Sequence, residues 1–307
     1  MRSRFESVYG SLLGHLFADA LGSTFEGSPT EQLRNRFSDR EAAFDYAAAR
    51  DALRYTDDGQ MMLAIAEYLS EHETIDPNRL MRCFVEVYES WRGYGRGARV
   101  LIEAFRDRAD YEFMAEHLFP GGSLGNGGAM RSSPVGLRYG GDLDRIWAEA
   151  KQSAWPTHRH ELGVEGAQLI ALATSLAHTE QEISPGRLSE LLLPHCGTVV
   201  FQNRIRRLAD VTSDNDISQF GNGIEAHESV VTALACFGLF PDDYRSAVST
   251  AFWQGGDTDT IGAMTGALVG ARVGSDFASA LPAERLEDGT PFIDYVRDLA
   301  CRLAQRT

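Results

Sequence analysis

Apolar residues recur along this chain at helical spacing. Leu12, Leu13, Leu16, Phe17 and Ala20 fall on one face of a helix with 3.6 residues per turn. Met61, Met62, Ile65, Ala66 and Leu69 form a second face, opening directly after Asp57-Asp58. The same periodicity predicts helices near residues 77–92, 98–107, 127–137, 143–154, 158–177, 198–210, 225–238, 242–253, 258–273 and 291–304. No segment shows a convincing period of two, the pattern of a half-buried strand. With no low-complexity linker and no composition break, the expectation is an all-α, single compact multi-helix domain over residues 1–307, with its chemistry on loops.

One predicted helix carries glycine at every fourth position: Gly262, Gly266, Gly270 and Gly274. These share a helix face, and each costs about 1 kcal/mol against alanine in a helix interior. Such a stripe implies that a second helix approaches very closely. The segment therefore reads as a central buried helix whose N-terminus presents Asp257 and Asp259. Thr260, Thr265 and Arg272 interrupt the apolar run, which weakens a membrane-dimerisation reading.

Just ahead of that helix lies Gly255-Gly256-Asp257-Thr258-Asp259-Thr260, and ahead of the Met61 helix lies Thr56-Asp57-Asp58. Each cluster offers carboxylates and a threonine hydroxyl. Either one alone fits an ordinary N-cap with acidic residues in the first turn. Four carboxylates brought into one pocket would repel each other and resist ionisation. A divalent cation relieves that, and an all-oxygen donor set suits Mg²⁺, Mn²⁺ or Ca²⁺ rather than Zn²⁺. Two clusters of the same chemistry, with a glycine pair free to take unusual torsions, point to a dinuclear hard-metal site built from two helix N-termini.

A third constellation is Gly121-Gly122-Ser123-Leu124-Gly125-Asn126-Gly127-Gly128-Ala129-Met130-Arg131, a glycine-rich loop running into a helix. Backbone N–H groups at such a junction can cradle an anion; a flexible turn with Asn126 as a helix cap is the plainer alternative. No Gly-Lys-Ser/Thr follows, so it is not a Walker A loop, and the glycine spacing is wrong for a dinucleotide fingerprint. His158, after Pro156-Thr157 at the start of a predicted helix, and Glu26, in a loop after the first helix, carry no signal on their own.

The net charge of −15 argues against a nucleic-acid partner. The densest basic stretch, Arg204-Ile205-Arg206-Arg207, reads as one solvated helix face. Cys83, Cys196, Cys236 and Cys301 are widely spaced and match no CxxC pattern, as expected of reduced thiols. No stretch is long and apolar enough to span a membrane, and no apolar signal-peptide core is evident, so the expected location is cytoplasmic.

Taken together, these landmarks resemble the ADP-ribosylglycohydrolase family, the group that includes dinitrogenase reductase-activating glycohydrolase. The resemblance rests on Gly14-His15-Leu16-Phe17-Ala18-Asp19-Ala20-Leu21-Gly22, Tyr55-Thr56-Asp57-Asp58-Gly59-Gln60-Met61, Gly125 to Arg131, Thr157-His158 and Gly255 to Thr260, in the family's order. It implies an all-α fold with two Mg²⁺ (or Mn²⁺) ions. Thr56, Asp57, Asp58, Asp257, Asp259 and Thr260 match the family's metal ligands. Glu26 matches a glutamate in a mobile loop near the metals and, with Asp58 and Asp259, is implied to act in catalysis. Gly122, Ser123, Leu124, Gly125, Asn126 and His158 match positions that contact ADP-ribose.

The chain departs from the family pattern at Gly59, where threonine is frequent, and at Leu124, where relatives acting on serine-linked ADP-ribose carry an aromatic residue. The Gly-Gly-Ala-Met-Arg run is more like the serine-type relatives than the arginine-type. The implied reaction is metal-dependent hydrolysis of the bond from C1″ of ADP-ribose to an acceptor. The expected partner is an ADP-ribosylated protein modified on arginine or serine. Hydrolysis of a small conjugate such as O-acetyl-ADP-ribose, and a non-catalytic ADP-ribose-binding role, are the competing readings.

Overall fold

The computed structural model describes residues 2–306. Its regular elements are helical. They begin with α1 (Arg4–Gly22), α2 (Thr30–Arg36), α3 (Arg40–Ala48), α4 (Asp57–Glu71) and α5 (Pro77–Val87). Next come α6 (Arg96–Arg106), α7 (Tyr111–His117), α8 (Ser133–Arg138), α9 (Leu143–Ala154) and α10 (Glu161–Thr179). The series ends with α11 (Pro185–Leu192), α12 (Val199–Arg207), α13 (Ala226–Leu239), α14 (Tyr244–Trp253), α15 (Thr258–Val273) and α16 (Thr290–Ala304). Among the described residues β-pairing is confined to three isolated bridges. Among those residues no helix is long and apolar enough to cross a membrane, and the four cysteines are free thiols.

Local chemistry sets many of the boundaries. Ser3 and Glu6 form a reciprocal capping box at the start of α1. The side chains of Asp39, Asp76, Asp110, Asp142, Ser184, Thr198 and Asp243 accept backbone N–H bonds at later N-termini. The helices α2, α3, α7 and α11 were not legible in the periodicity. They have 7 to 9 residues, too short to repeat an apolar face.

Several expected helices have different limits. The segment 77–92 stops at Val87, and a 3₁₀ turn follows over Ser90–Arg92, ended by Gly93 at φ 91°. The segment 127–137 breaks into a 3₁₀ turn at Asn126–Gly128 and α8, because Pro134 has no N–H to continue a helix but fits its first turn. The segment 158–177 begins at Glu161, with His160 as its N-cap, so His158 sits ahead of the helix rather than on it.

At the centre, α1 and α15 run antiparallel, and nearly every residue of both is buried. Their glycines face each other. A Cβ at Gly270 would overlap the carbonyl of Gly10, one at Gly266 the carbonyl of Gly14, and the converse holds for Gly10 and Gly14. At the far end a Cβ at Gly22 would lie 2.5 Å from the Thr258 carbonyl oxygen. The stripe expected on α15 thus finds its partner in a stripe on α1. Gly274 ends the stripe as the cap of α15, at φ 73°, a backbone region suited to glycine, and its carbonyl carbon would lie 2.4 Å from a Cβ at Gly10. The remaining helices pack around this pair on one continuous apolar core.

Candidate active site

The close α1–α15 contact brings the C-terminal half of α1 beside the N-terminus of α15. Asp257 is the N-cap residue of α15 and Asp259 lies in its first turn. Gly255 and Gly256, at φ 70° and 71°, turn the chain into that cap. A Cβ at Gly256 would overlap Asn222, whose carbonyl accepts the Asp257 N–H at 2.9 Å. Asp57 and Asp58 are the first two residues of α4, and Thr56 is its N-cap, accepting the Asp58 N–H at 3.2 Å. Asp57, Asp58, Asp257, Asp259 and Thr260 line one cavity of about 360 Å³, and Glu26 lines it too. Thr56 stands one residue outside that lining.

Asp19 carries no role that the sequence announces. It is the one acidic residue in the buried stretch of α1 and is 0% exposed. Its carboxylate accepts the N–H of Thr56 at 2.9 and 3.1 Å and that of Gly59 at 2.9 Å. It therefore fixes the turn that carries Asp57 and Asp58. The available signal was an acid inside the apolar run Leu16 to Leu21, where burial needs a partner. A Cβ at Gly59 would lie 2.9 Å from both Leu16 and Tyr55, so the position has no room for a larger residue as it stands.

Glu287, also missed, holds the segment ahead of Thr56. Leu53 donates to Arg285 O, Glu287 donates to Leu53 O, and Tyr55 N–H donates to Glu287 Oε1 at 3.1 Å. Arg92 bonds both oxygens of Glu287 and the Tyr55 carbonyl, and stacks on the Tyr55 ring at 3.8 Å. Glu287 adopts φ 51°, a left-handed conformation that costs a non-glycine residue about 1 kcal/mol. Replacing it with Ala leaves the buried Arg92 with fewer acceptors. We expect Glu287→Ala to lower stability by about 2 kcal/mol in urea unfolding, with Glu287→Gln intermediate; an unchanged midpoint would contradict this.

Two further bridges tether site loops. Gly27 N–H bonds Gly256 O and Gly256 N–H bonds Ser28 O, both at 2.8 Å, which holds the exposed Glu26 beside the Asp257 turn. Asn126 N–H bonds Ile224 O at 2.9 Å, and Ala226 N–H bonds Leu124 O at 3.0 Å. These pin the glycine loop opposite the acids. Ser123, Gly125, Asn126 and His158 line the cavity. Gly122 and Leu124 lie in the same loop but outside that lining, and Leu124 packs against the core. The Asn126 amide donates to Asp257 Oδ2 and to Ser229 Oγ, so it orients a carboxylate rather than capping a helix. The N–H groups of Gly122, Gly125 and Asn126 are already engaged within the protein, which leaves the loop a smaller anion cradle than expected.

The electrostatics are those of an acid cluster short of cations. Burial raises the Asp58 and Asp259 carboxyls well above the usual range, and like-charge repulsion adds to it, from Asp259 at Asp58 and from Asp257 and Glu26 at Asp259. Burial also raises Asp257 to about 6, Asp19 to about 7 and Asp57 to about 8. Asp58 Oδ2 is buried with no hydrogen-bond partner. Among the described residues, no three His, Cys, Asp or Glu side chains are arranged to close on one ion. The orphaned oxygen and the hard-oxygen donor set nevertheless fit a divalent cation.

The Asp57 shift has a testable sign. Its folded value lies above its ordinary 3.8, so its proton stabilises the fold fully below about pH 4 and that stability is lost as pH rises through about 8. Asp57→Asn mimics the protonated form. In chelator, its melting temperature is expected to exceed that of the parent by a margin that widens from pH 5 to pH 8. A constant margin would show that Asp57 is not strained.

The all-helical frame and its acid-lined cavity place the protein among known enzymes. The family model described as ADP-ribosylglycohydrolase matches residues 1–307. ADP-ribosylhydrolase ARH3 of Danio rerio is 31% identical over 348 residues, covering 99% of this chain and 90% of that protein. The Homo sapiens ADP-ribosylhydrolase ARH3 is 31% identical over 318 residues, covering 89% and 86%. A solved ADP-ribosylglycohydrolase-related protein complex shares the fold, with a TM-score of 0.72 over 100% of this chain and 99% of that one at 22% identity. The protein is an enzyme of the glycosyl-bond hydrolase class. It belongs to the ADP-ribosylglycohydrolase family.

Proposed function

We propose that this protein hydrolyses the bond between C1″ of an ADP-ribosyl group and its acceptor, an arginine or serine side chain of a modified protein, and releases ADP-ribose. The observation that carries the reading is the convergence of four carboxylates from two helix N-termini on one cavity, with Asp58 Oδ2 unpartnered. Asp57, Asp58, Asp257 and Asp259, with the hydroxyls of Thr56 and Thr260, would hold two Mg²⁺ or Mn²⁺ ions. When bound, such ions neutralise the cluster and supply Lewis acidity toward sugar hydroxyls and water.

The chain's own residues do the rest. Asp19 and Glu287 fix the Thr56–Asp58 turn, and Asn126 orients Asp257. Cleavage develops positive character at C1″, which the adjacent carboxylates favour. Glu26 is held at the cavity edge, where it can take a proton from the attacking water or deliver one to the leaving acceptor. The glycine loop and His158 bind oxygens of the ADP-ribosyl group from the opposite wall.

The test is release of free ADP-ribose, with Mg²⁺ or with chelator, from arginine-linked, serine-linked and O-acetyl ADP-ribose. Metal-dependent release from a modified side chain supports the proposal. Release from O-acetyl-ADP-ribose alone would replace it with a small-conjugate hydrolase, and binding without release from any would replace it with a binding role. Glu26→Gln is expected to lower kcat by about 10²–10⁴-fold with ADP-ribose affinity kept; a change under tenfold would remove Glu26 from proton transfer.

A further inference from the structure

Arg131 is fully buried at the base of the cavity and lies outside the acid cluster. Its bonded partners are neutral. Nη2 donates to Ser153 O at 2.9 Å, Ala154 O at 3.3 Å and Thr157 Oγ1 at 2.8 Å, and the guanidinium stacks on Phe84 at 4.8 Å. Thr157, 2% exposed, has its Oγ1 2.7 Å from His158 Nδ1.

The proton count settles the direction of that last bond. A guanidinium only donates, and a hydroxyl carries one proton. Thr157 Oγ1 accepts from Arg131, and the bond to Nδ1 is its one other hydrogen bond. If Nδ1 carried the proton, the buried Thr157 hydroxyl hydrogen would have no acceptor, at the cost of an unmade bond. With Thr157 donating to Nδ1, both the hydroxyl hydrogen and the Nδ1 lone pair have a partner, and the imidazole proton must sit on Nε2. That nitrogen faces the glycine loop: a Cβ at Gly127 would lie 3.0 Å from it and one at Gly125 3.5 Å. Burial and the nearby Arg131 charge hold the ring neutral.

We propose that Arg131 and Thr157 are positioning residues that lock His158 as the neutral Nε2–H tautomer, so that the ring presents a hydrogen-bond donor, and not a base, to a ligand oxygen in the cavity. The ligand group is an oxygen acceptor such as a phosphate or a sugar oxygen. This matters because the N–H groups of Gly122, Gly125 and Asn126 are spent inside the protein. The identity of the ligand rests on the ADP-ribose reading above, whereas the tautomer does not.

The test uses the full chain with ¹⁵N-labelled histidine, the His158 signals being assigned by difference against His158→Gln. The parent is expected to show a pyrrole-like Nε2 and a pyridine-like Nδ1 without any ligand. Thr157→Ser keeps the hydroxyl and should keep both signals. Thr157→Val removes the donor and should move the Nδ1 signal toward that of an unbonded pyridine-type nitrogen, with ADP-ribose binding weakened about tenfold and restored by Thr157→Ser. An Nδ1–H parent, or an unmoved Nδ1 signal in a folded Thr157→Val protein, overturns the proposal. If the signatures behave as expected but ADP-ribose does not bind the parent, the lock stands and the substrate reading falls.

Discussion

Replacing Asp259 with Asn is expected to lower kcat/KM by about a thousandfold while raising the melting temperature of the metal-free protein. The two effects share one cause. Asp259 is 5% exposed and sits among Asp58, Asp257 and Glu26, so its charge is costly where no cation answers it. Asn keeps the shape and the bond from Thr260 N–H at 2.9 Å but removes the charge. If the charge serves to hold a divalent ion, losing it removes several kcal/mol of transition-state stabilisation, and about 4 kcal/mol corresponds to that thousandfold loss. Differential scanning fluorimetry with and without Mn²⁺, run beside turnover, separates the outcomes. The variant should melt higher than the parent in chelator and gain less from Mn²⁺. Parental turnover in Asp259→Asn would sink the assignment of this residue to the reaction.

Widening the α1–α15 contact is expected to unfold the protein rather than merely slow it. At Gly266 a Cβ would overlap the Gly14 carbonyl and lie 2.7 Å from the Ala18 methyl. These are backbone and short side-chain atoms with no rotamer to move. Overpacking a core site costs about 1–3 kcal/mol where neighbours can shift, so Gly266→Val should exceed about 3 kcal/mol. The contact also sets the site, since α1 carries Asp19 and α15 carries Asp259. Thr258 Oγ1 donates to Gly22 O at 2.8 Å at the same end. Gly141→Ala is the contrast. A Cβ at Gly141 would meet nothing within 4 Å, so a loss there reflects its positive φ of 91° alone, about 1 kcal/mol. Equal losses at both positions, measured by denaturant unfolding, would show that the helix approach is not the tight constraint.

Much of this was legible in the amino-acid order. Amphipathic repeats marked the long helices, the α15 glycine stripe announced a close neighbour, and the acidic tripeptides stood where helices begin. What periodicity missed has physical reasons. Helices of two turns repeat no face, and Pro134 cut a segment that looked continuous. The partner of the stripe, Gly10 and Gly14, could be recognised only once α1 lay against α15.

The sequence by itself determined the chemistry available: carboxylates beside helix starts, a glycine loop, and too few apolar alternations for a sheet. Tertiary structure alone decided how those pieces meet. The three isolated bridges, Ser28 to Gly256, Leu53 to Leu286 and Gly125 to Glu225, each tie a site loop to a segment remote in sequence. A single-residue pairing leaves no period to read. The same holds for Glu287, which steadies Thr56 from 231 positions away through one carboxylate and a left-handed turn. Its role exists only where burial, charge and backbone direction coincide, and those are properties of the packed chain.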